Sequence, residues 1–151
     1  METIHSFLSK PEAGWTNFTP GDKVYELSYI TNVPMEWLRA AIIGVKNDVP
    51  FVVSGDMESS GRIFCAVTDL ASYIFHEDGN IFEPIEIGKH EFCNILCNDL
   101  RKNIDDWISW YEGNEGLLDK IQELETELKL CAERDAARYK HDPEAIEVKI
   151  L

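Results

Sequence analysis

Basic residues are scarce in this sequence. Its 151 residues include 14 lysines and arginines against 28 acidic residues, which gives a formal net charge of −14. Proteins that bind nucleic acids or anionic membranes through surface charge need a basic footprint, so neither is expected as a direct partner. No apolar run approaches the roughly 18 residues of a membrane-spanning helix, and the first residues lack the apolar stretch of a secretory signal. The sequence therefore predicts a cytoplasmic protein that does not bind a membrane.

Catalytic motifs are also missing. The sequence holds no GxSxG nucleophile elbow, no HExxH metal motif and no glycine-rich phosphate loop. Glu86 and Lys89 are one residue too far apart for the acid–lysine pair of an ExK nuclease motif. We therefore predict no catalytic residues, no cofactor and no enzymatic activity.

The four cysteines do not form the closely spaced pairs of a zinc knuckle. His90, Cys93 and Cys97 share one face of a predicted helix, and Cys131 is expected beside Cys97 on the next helix. A zinc site built from these four residues and a Cys97–Cys131 disulfide are both open alternatives. Because Cys93 and Cys97 also occupy apolar positions of the helix, we predict that they pack in the core and hold no metal.

The sequence has enough apolar residues for one folded domain over residues 1–151. Apolar residues make up 44% of the chain and aromatic residues 11%. Residues 1–90 hold 13 acids and 6 bases and residues 91–151 hold 15 and 8, so each part carries −7 and the acidity is not confined to a tail. The pattern divides the domain into an irregular arm (1–20), a mainly β region (21–88), a helical hairpin (89–140) and a tail (141–151).

Short apolar segments separated by turns indicate an antiparallel sheet within the β region. The segments that read as strands are 24–31, 50–54, 62–67 and 71–76, followed by a hairpin turn at Asp78-Gly79. Pro34 is well placed to begin a helix. A strand over 40–45 is an open alternative, because that stretch is rich in β-branched residues. The aromatic residues of the arm are expected to dock on the body.

Two apolar stripes with helical spacing mirror each other in the last third of the chain. They consist of Cys93, Cys97, Leu100, Ile104, Trp107 and Tyr111, and of Leu117, Ile121, Leu124, Leu128 and Cys131. Folding the chain back within the glycine-bounded segment 113–116 brings the stripes together.

The sequence therefore predicts an α+β fold, in which an antiparallel sheet of four to five strands is backed by a C-terminal antiparallel helical hairpin. The first helix of the hairpin is expected between the sheet and the last helix, because it is apolar on two sides. Leu118 and Leu130 lie off the stripe of the last helix, which leaves a homodimer as an open alternative.

Acidic residues beside apolar or aromatic ones mark two groups of candidate binding residues. The first group lies in predicted turns and the second near the end of the first hairpin helix: Asp56, Glu58, Glu77 and Asp78, and Asp106, Trp110 and Glu112. Aromatic anchors surrounded by carboxylates are typical of a surface that binds a basic protein. The alternative for Trp110 is a place in the core.

The segment 50–100 resembles the sheet of SMI1/KNR4-like (SUKH) immunity proteins. The resemblance rests, in this order, on Val52-Val53-Ser54-Gly55-Asp56, Gly61-Arg62-Ile63-Phe64, Tyr73-Ile74-Phe75-His76, Asp78-Gly79, Phe82-Glu83-Pro84 and Phe92. It implies a meander of strands followed by a helix, and a protein that binds and neutralises a toxin nuclease or another toxin domain. The long last helix and the irregular first thirty residues depart from that pattern.

Together these features predict a non-enzymatic acidic inhibitor of the immunity or phage anti-defence type. Its expected partner is a protein with a basic surface, such as a toxin, a nuclease or a defence protein, which it binds and blocks. Two other classes stay open. One is a sponge for a small molecule or nucleotide, and the other is a self-assembling scaffold protein that associates through the last helix.

Overall fold

The computed structural model describes residues 5–141 of the chain. The helices and strands are β1 (Trp15–Phe18), β2 (Tyr25–Ser28), α1 (Val33–Asn47), β3 (Phe51–Asp56), β4 (Arg62–Val67), β5 (Ser72–His76), β6 (Phe82–Ile85), α2 (Lys89–Lys102), α3 (Ile104–Ile108) and α4 (Leu117–His141). The predicted α+β class is confirmed. The first four residues of the predicted arm and residues 142–151 of the predicted tail lie outside the described part of the chain.

Strands β3 to β6 form an antiparallel meander in chain order, as predicted. In the register of the sheet, Cys65 lies between Val53 and Ile74. These three side chains point to the inner face, where all three are buried, because alternate residues of a strand face opposite sides. The predicted turn at Asp78-Gly79 joins β5 to β6, and Gly79 adopts the positive φ of 80° that this turn requires.

The arm that was predicted to be irregular contains a strand, which corrects the prediction for residues 15–18. β1 pairs with β2 as a separate antiparallel hairpin, with Phe18 opposite Tyr25. Four residues hold too little alternation to indicate a strand before its partner is known. Phe7 and Phe18 dock in the core as expected, whereas Trp15 is 38% exposed.

The β1–β2 hairpin crosses the inner face of the four-stranded sheet. Gly55 on β3 leaves room for Leu27, since a Cβ at position 55 would lie 2.5 Å from a Leu27 methyl carbon. At the other edge, the Tyr25 hydroxyl donates to the Glu83 carboxylate of β6 at 2.9 Å. The hairpin therefore reaches from one edge strand to the other.

Helix α1 is confirmed, and the strand alternative for residues 40–45 is wrong. Pro34 lies in its first turn, where backbone N–H groups have no acceptor within the helix, so the missing N–H of proline costs no hydrogen bond. Trp37 is buried, donates its indole N–H to the Ser54 carbonyl at 2.8 Å and packs against the rings of Phe18 and Phe92. These contacts fix α1 against β3.

Both predicted apolar stripes contribute to the core, which confirms the C-terminal helical layer. The stripe residues with no accessible surface are Cys93, Leu100, Trp107, Leu117, Ile121 and Leu124. The first helix is interrupted at Asn103, so α2 and the short α3 replace one continuous helix, and Tyr111 is left 43% exposed. Helix α1 packs on both β3 and α4, so it shares the position that was predicted for the first hairpin helix alone.

One buried carboxylate fastens the N-terminal segment to α2. The Oδ2 atom of Asp99 accepts the backbone N–H groups of Phe7 at 2.8 Å and Leu8 at 2.9 Å. Its Oδ1 atom accepts the Ser6 hydroxyl at 2.6 Å. These three hydrogen bonds compensate for the loss of water around a carboxylate that is 3% exposed.

All four cysteines are free thiols. Burial raises the pKa of the Cys65, Cys93 and Cys97 thiols to about 12 in each case. Core packing is therefore confirmed for Cys93 and Cys97, and the disulfide alternative is wrong. Cys131 is half-buried and lines a small cavity beside Lys89 at the start of α2.

Among the helices of residues 5–141, none is both long enough and apolar enough to span a bilayer.

Candidate functional site

The outer face of the four-stranded sheet carries four aromatic side chains. Phe64 and Phe75 are opposite each other on β4 and β5, and their rings stack with centroids 5.2 Å apart. Tyr73 on β5 and Phe82 on β6 stack at 6.0 Å. Phe82 is 66% exposed and the other three rings are half-buried. We call these four residues the aromatic face.

Sequence reasoning did not assign the aromatic face to a site, although its signal is present. In β4 and β5, aromatic residues alternate with the inward-facing Ile63, Cys65 and Ile74. A strand that is apolar on both sides is typical of a sheet covered on both faces. The hairpin and α1 cover only the inner face of the sheet. The apolar residues on both sides of β4 and β5 therefore indicate an uncovered apolar surface only once the structure is known.

The first group of predicted binding residues comes together at one end of the sheet. Asp56 and Glu58 lie at the β3–β4 turn, and Glu77 and Asp78 lie at the β5–β6 turn. The two turns are adjacent, because the Glu77 N–H donates to the Arg62 carbonyl at 3.0 Å. The Arg62 guanidinium lies 3.9 Å from the Asp56 carboxylate. We call the four acidic residues the acidic end.

His76 joins the two turns of the acidic end. Its Nε2–H donates to the Ser60 carbonyl at 2.6 Å, and its Nδ1 lies 2.7 Å from an Asp78 carboxylate oxygen. Only the protonated imidazole donates to both acceptors, whereas the Nδ1 atom of the neutral ring accepts the Asp78 backbone N–H at 3.2 Å. The Ser60 carbonyl, followed by the Asp78 and Glu77 carboxylates, raises the pKa of His76. The Asn80 N–H, followed by His76, lowers the pKa of Asp78.

This bridge is expected to make stability depend on pH. Because the pKa of His76 is raised by folding, its contribution is present below the unfolded-state pKa and is lost as the pH rises through the folded-state value. The lowered pKa of Asp78 acts in the opposite direction, so its contribution is lost as the pH falls through its folded-state value. The bridge is therefore strongest between about pH 4 and about pH 6.5.

Urea unfolding of a His76→Gln variant measures this dependence. We expect the difference in free energy of unfolding between wild type and variant to be larger at about pH 5.5 than at about pH 8. A His90→Gln variant, which removes an exposed histidine from α2, is the control for loss of a titratable side chain. The same difference at both pH values would contradict the bridge.

The second group of predicted binding residues lies elsewhere. Trp110 is 7% exposed and donates its indole N–H to the Thr31 carbonyl at 3.0 Å, so the core alternative holds for this residue. Asp106 is exposed and lines a cavity of about 420 Å³ together with Trp110 and Tyr29. Glu112 is exposed in the loop that follows α3. Asp106 and Glu112 are therefore exposed as predicted, but the buried Trp110 does not provide an aromatic anchor beside them.

A further charged cluster lies at the opposite end of the sheet and is structural. The buried Lys89 ammonium lies 3.2 Å from the Gly44 carbonyl, 3.2 Å from Asp69 and 3.8 Å from Asp48. It thereby joins the end of α1 and the β4–β5 turn to α2. Within residues 5–141, no group of three or more His, Cys, Asp or Glu side chains is arranged to hold a metal ion, so the zinc alternative finds no ligand set there.

Comparisons with protein-family models, curated proteins and solved structures found no match for the chain. The chemistry of the aromatic face and of the acidic end is therefore the basis for a functional assignment.

Proposed function

We propose that the chain is a non-enzymatic inhibitor that binds and blocks a basic surface of a protein partner. The observation that carries the proposal is the aromatic face. Among residues 5–141, the ring-stacking contacts of its four residues are with one another, and the acidic end lies at its border.

An uncovered aromatic face is typical of a binding surface. Large contiguous apolar patches are uncommon on monomeric proteins, and aromatic residues are enriched in the centres of protein interfaces. Val52 and Pro84 extend the apolar surface to both edge strands, and Val52 is 52% exposed. A partner that covers this face would bury rings that are already held in place by stacking, so little side-chain entropy is lost on binding.

The charge of the protein selects a basic partner. The net charge is −14, and the acidic end concentrates four carboxylates beside the aromatic face. Arginine side chains suit both features, because a guanidinium stacks on aromatic rings and forms bidentate pairs with carboxylates. A negative field of this kind also speeds the encounter with a positively charged protein.

An inhibitor of this kind blocks its partner simply by occupying the partner's substrate-binding surface. A toxin or nuclease that acts on nucleic acid presents a basic surface to its substrate, and an acidic protein bound there excludes that substrate. The resemblance of residues 50–100 to SUKH immunity proteins supports a partner of this class. The free thiols suit the cytoplasm, in which such an inhibitor would meet its partner.

The proposal is tested by capturing the partner and measuring its binding rates. We expect the immobilised full-length protein to capture a basic protein from a lysate of the cells that produce it. When NaCl is raised from about 50 to about 500 mM, the association rate constant of the purified partner should fall at least about tenfold, and the dissociation rate constant should change less.

A matched pair of variants locates the binding surface. Phe75→Ser, on the aromatic face, should speed dissociation of the captured partner at least about tenfold. Leu130→Ser removes a leucine that is 45% exposed on α4 and should leave both rate constants unchanged. Circular dichroism verifies that both variants are folded. An association rate indifferent to salt, or a Phe75→Ser variant that binds like wild type, would refute the proposal, as would capture of nucleic acid or of a second copy alone.

A further inference from the structure

A cavity of about 460 Å³ lies between the β1–β2 hairpin and the β3–β4 turn. The hairpin contributes Trp15, Val24 and Glu26 to its lining, and the turn contributes Met57, Glu58, Ser59 and Ser60. Pockets that hold small ligands have volumes of about 300–1,000 Å³. The cavity is lined by apolar side chains, hydroxyl groups and two carboxylates, with no cationic side chain among its lining residues.

The two carboxylates are available for a ligand. Among residues 5–141, no side-chain hydrogen bond and no salt bridge joins either Glu26 or Glu58 to another residue. Glu58 is fixed by its backbone, since its N–H donates to the Asp56 carboxylate at 2.6 Å. Its φ of 58° lies in the left-handed region, which is unfavourable for a residue with a Cβ. The turn thus fixes the backbone of Glu58, whose side chain lines the cavity together with those of the hairpin.

The hairpin supplies an aromatic side chain to the same cavity. Trp15 is 38% exposed, although tryptophan is usually among the more buried residues. Trp15 and Glu26 belong to the outward side of the hairpin, as the buried Thr16 and Leu27 alternate with them. An indole and two carboxylates that line one cavity with Val24 and Met57 provide both attraction for a cation and apolar contact for its stem.

We infer that this cavity binds an arginine side chain of the protein partner. The inference rests on the proposed function, which it extends by naming the side chain that the partner inserts. A planar guanidinium can stack on the Trp15 indole and donate to both Glu26 and Glu58, while its three methylenes contact Val24 and Met57.

Other ligand classes fit the lining less well. An anion would meet two carboxylates, and Lys23 lines the neighbouring cavity beside Asp78 rather than this one. A neutral apolar ligand would strip water from both carboxylates without replacing its hydrogen bonds. A lysine ammonium is more strongly hydrated than a guanidinium and does not form a planar fork, so it should bind more weakly.

The probe for this cavity is N-acetyl-arginine amide, added to the full-length protein. The signal is the indole N–H of Trp15 in a two-dimensional ¹H–¹⁵N NMR spectrum, assigned by its disappearance in a Trp15→Phe variant. We expect saturable shifts of this signal with a dissociation constant of about 1 mM. The uncharged isostere N-acetyl-citrulline amide should bind at least about tenfold more weakly, because it lacks the charge that the carboxylates require. N-acetyl-lysine amide should bind at least about threefold more weakly.

Matched variants assign the binding to the two carboxylates. Glu26→Gln and Glu58→Gln should each weaken binding of the arginine derivative about tenfold. Glu58→Gly removes the same carboxylate and relieves the left-handed backbone, so it should be at least as stable as wild type and bind equally weakly. Asp105→Asn removes an equal charge from the exposed surface of α3, away from the lining of this cavity, and should leave binding unchanged.

Binding of the citrulline or lysine derivative as tight as that of the arginine derivative would overturn the inference. Unchanged binding by both glutamine variants, or equal weakening by Asp105→Asn, would also overturn it. The experiment does not depend on the captured partner. If arginine amide binds as expected and Phe75→Ser has no effect on the partner, the arginine site stands and the proposed function fails. If Phe75→Ser speeds dissociation of the partner and the arginine derivative does not bind, the proposed function stands and the arginine site fails.

Discussion

Replacing Leu124 with aspartate is expected to abolish cooperative unfolding of the protein. Leu124 lies on α4 with no accessible surface, in the layer where α4 packs against α1 and α2. An unpaired carboxylate at this position costs several kcal/mol, in addition to the apolar contacts that are lost. Because the total stability of a domain is about 5–15 kcal/mol, this one change removes a large part of it.

Thermal unfolding followed by far-ultraviolet circular dichroism measures the effect. A Leu130→Asp variant introduces the same charge on the same helix, at a position that is 45% exposed, and should melt close to wild type. A Leu124→Asp variant that melts within about 2 °C of wild type would show that the helical layer is not packed as described, since a loss of ~1 kcal/mol already shifts the melting temperature of a domain of this size by about 2–4 °C.

Removing the Asp99 carboxylate is expected to release the N-terminal segment. In Asp99→Ala, the backbone N–H groups of Phe7 and Leu8 lose their acceptor in a buried environment. Buried donors without partners cost about 1–3 kcal/mol each, so we expect a loss of about 3 kcal/mol in the free energy of unfolding. Urea unfolding measures the loss, and limited proteolysis should show earlier cleavage near the N-terminus.

Two further substitutions separate this hydrogen-bonding role from the loss of a charge. Asp105→Ala removes an exposed carboxylate from the neighbouring α3 and should leave stability nearly unchanged. Asp99→Asn keeps one oxygen to accept the two N–H groups and should lose less stability than Asp99→Ala. Equal stability of Asp99→Ala and Asp105→Ala would contradict the anchoring of the segment.

The local pattern of the sequence predicts the elements whose signals are strong. Short apolar segments and the turn residues Asp78-Gly79 predict the meander β3 to β6. Pro34, followed by apolar residues with helical spacing, predicts α1. What could not be predicted depends on contacts between distant residues. β1 is a strand because β2 lies beside it, and the N-terminal segment is ordered by Asp99, which is 92 positions after Phe7. The interruption at Asn103 leaves the apolar spacing intact, so spacing does not reveal it.

The candidate site was predictable in part for the same reason. Turns place their acidic residues at the surface, so Asp56, Glu58, Glu77 and Asp78 could be selected from their positions in the chain. That the two turns are neighbours follows from the antiparallel meander. The burial of Trp110 depends on where α3 ends and on its hydrogen bond to the Thr31 carbonyl, 79 positions earlier in the chain. No local sequence pattern contains this information.

The aromatic face also affects how copies of the protein behave towards one another. In a neutral protein such a face would promote aggregation, but at a net charge of −14 the copies repel each other. Pro84 on the edge strand β6 lacks the N–H that another strand would need for pairing. Added salt screens the repulsion between copies, so it should weaken this protection against aggregation. The acidic surface thus provides the colloidal stability that allows the stacked aromatic rings to remain uncovered in water.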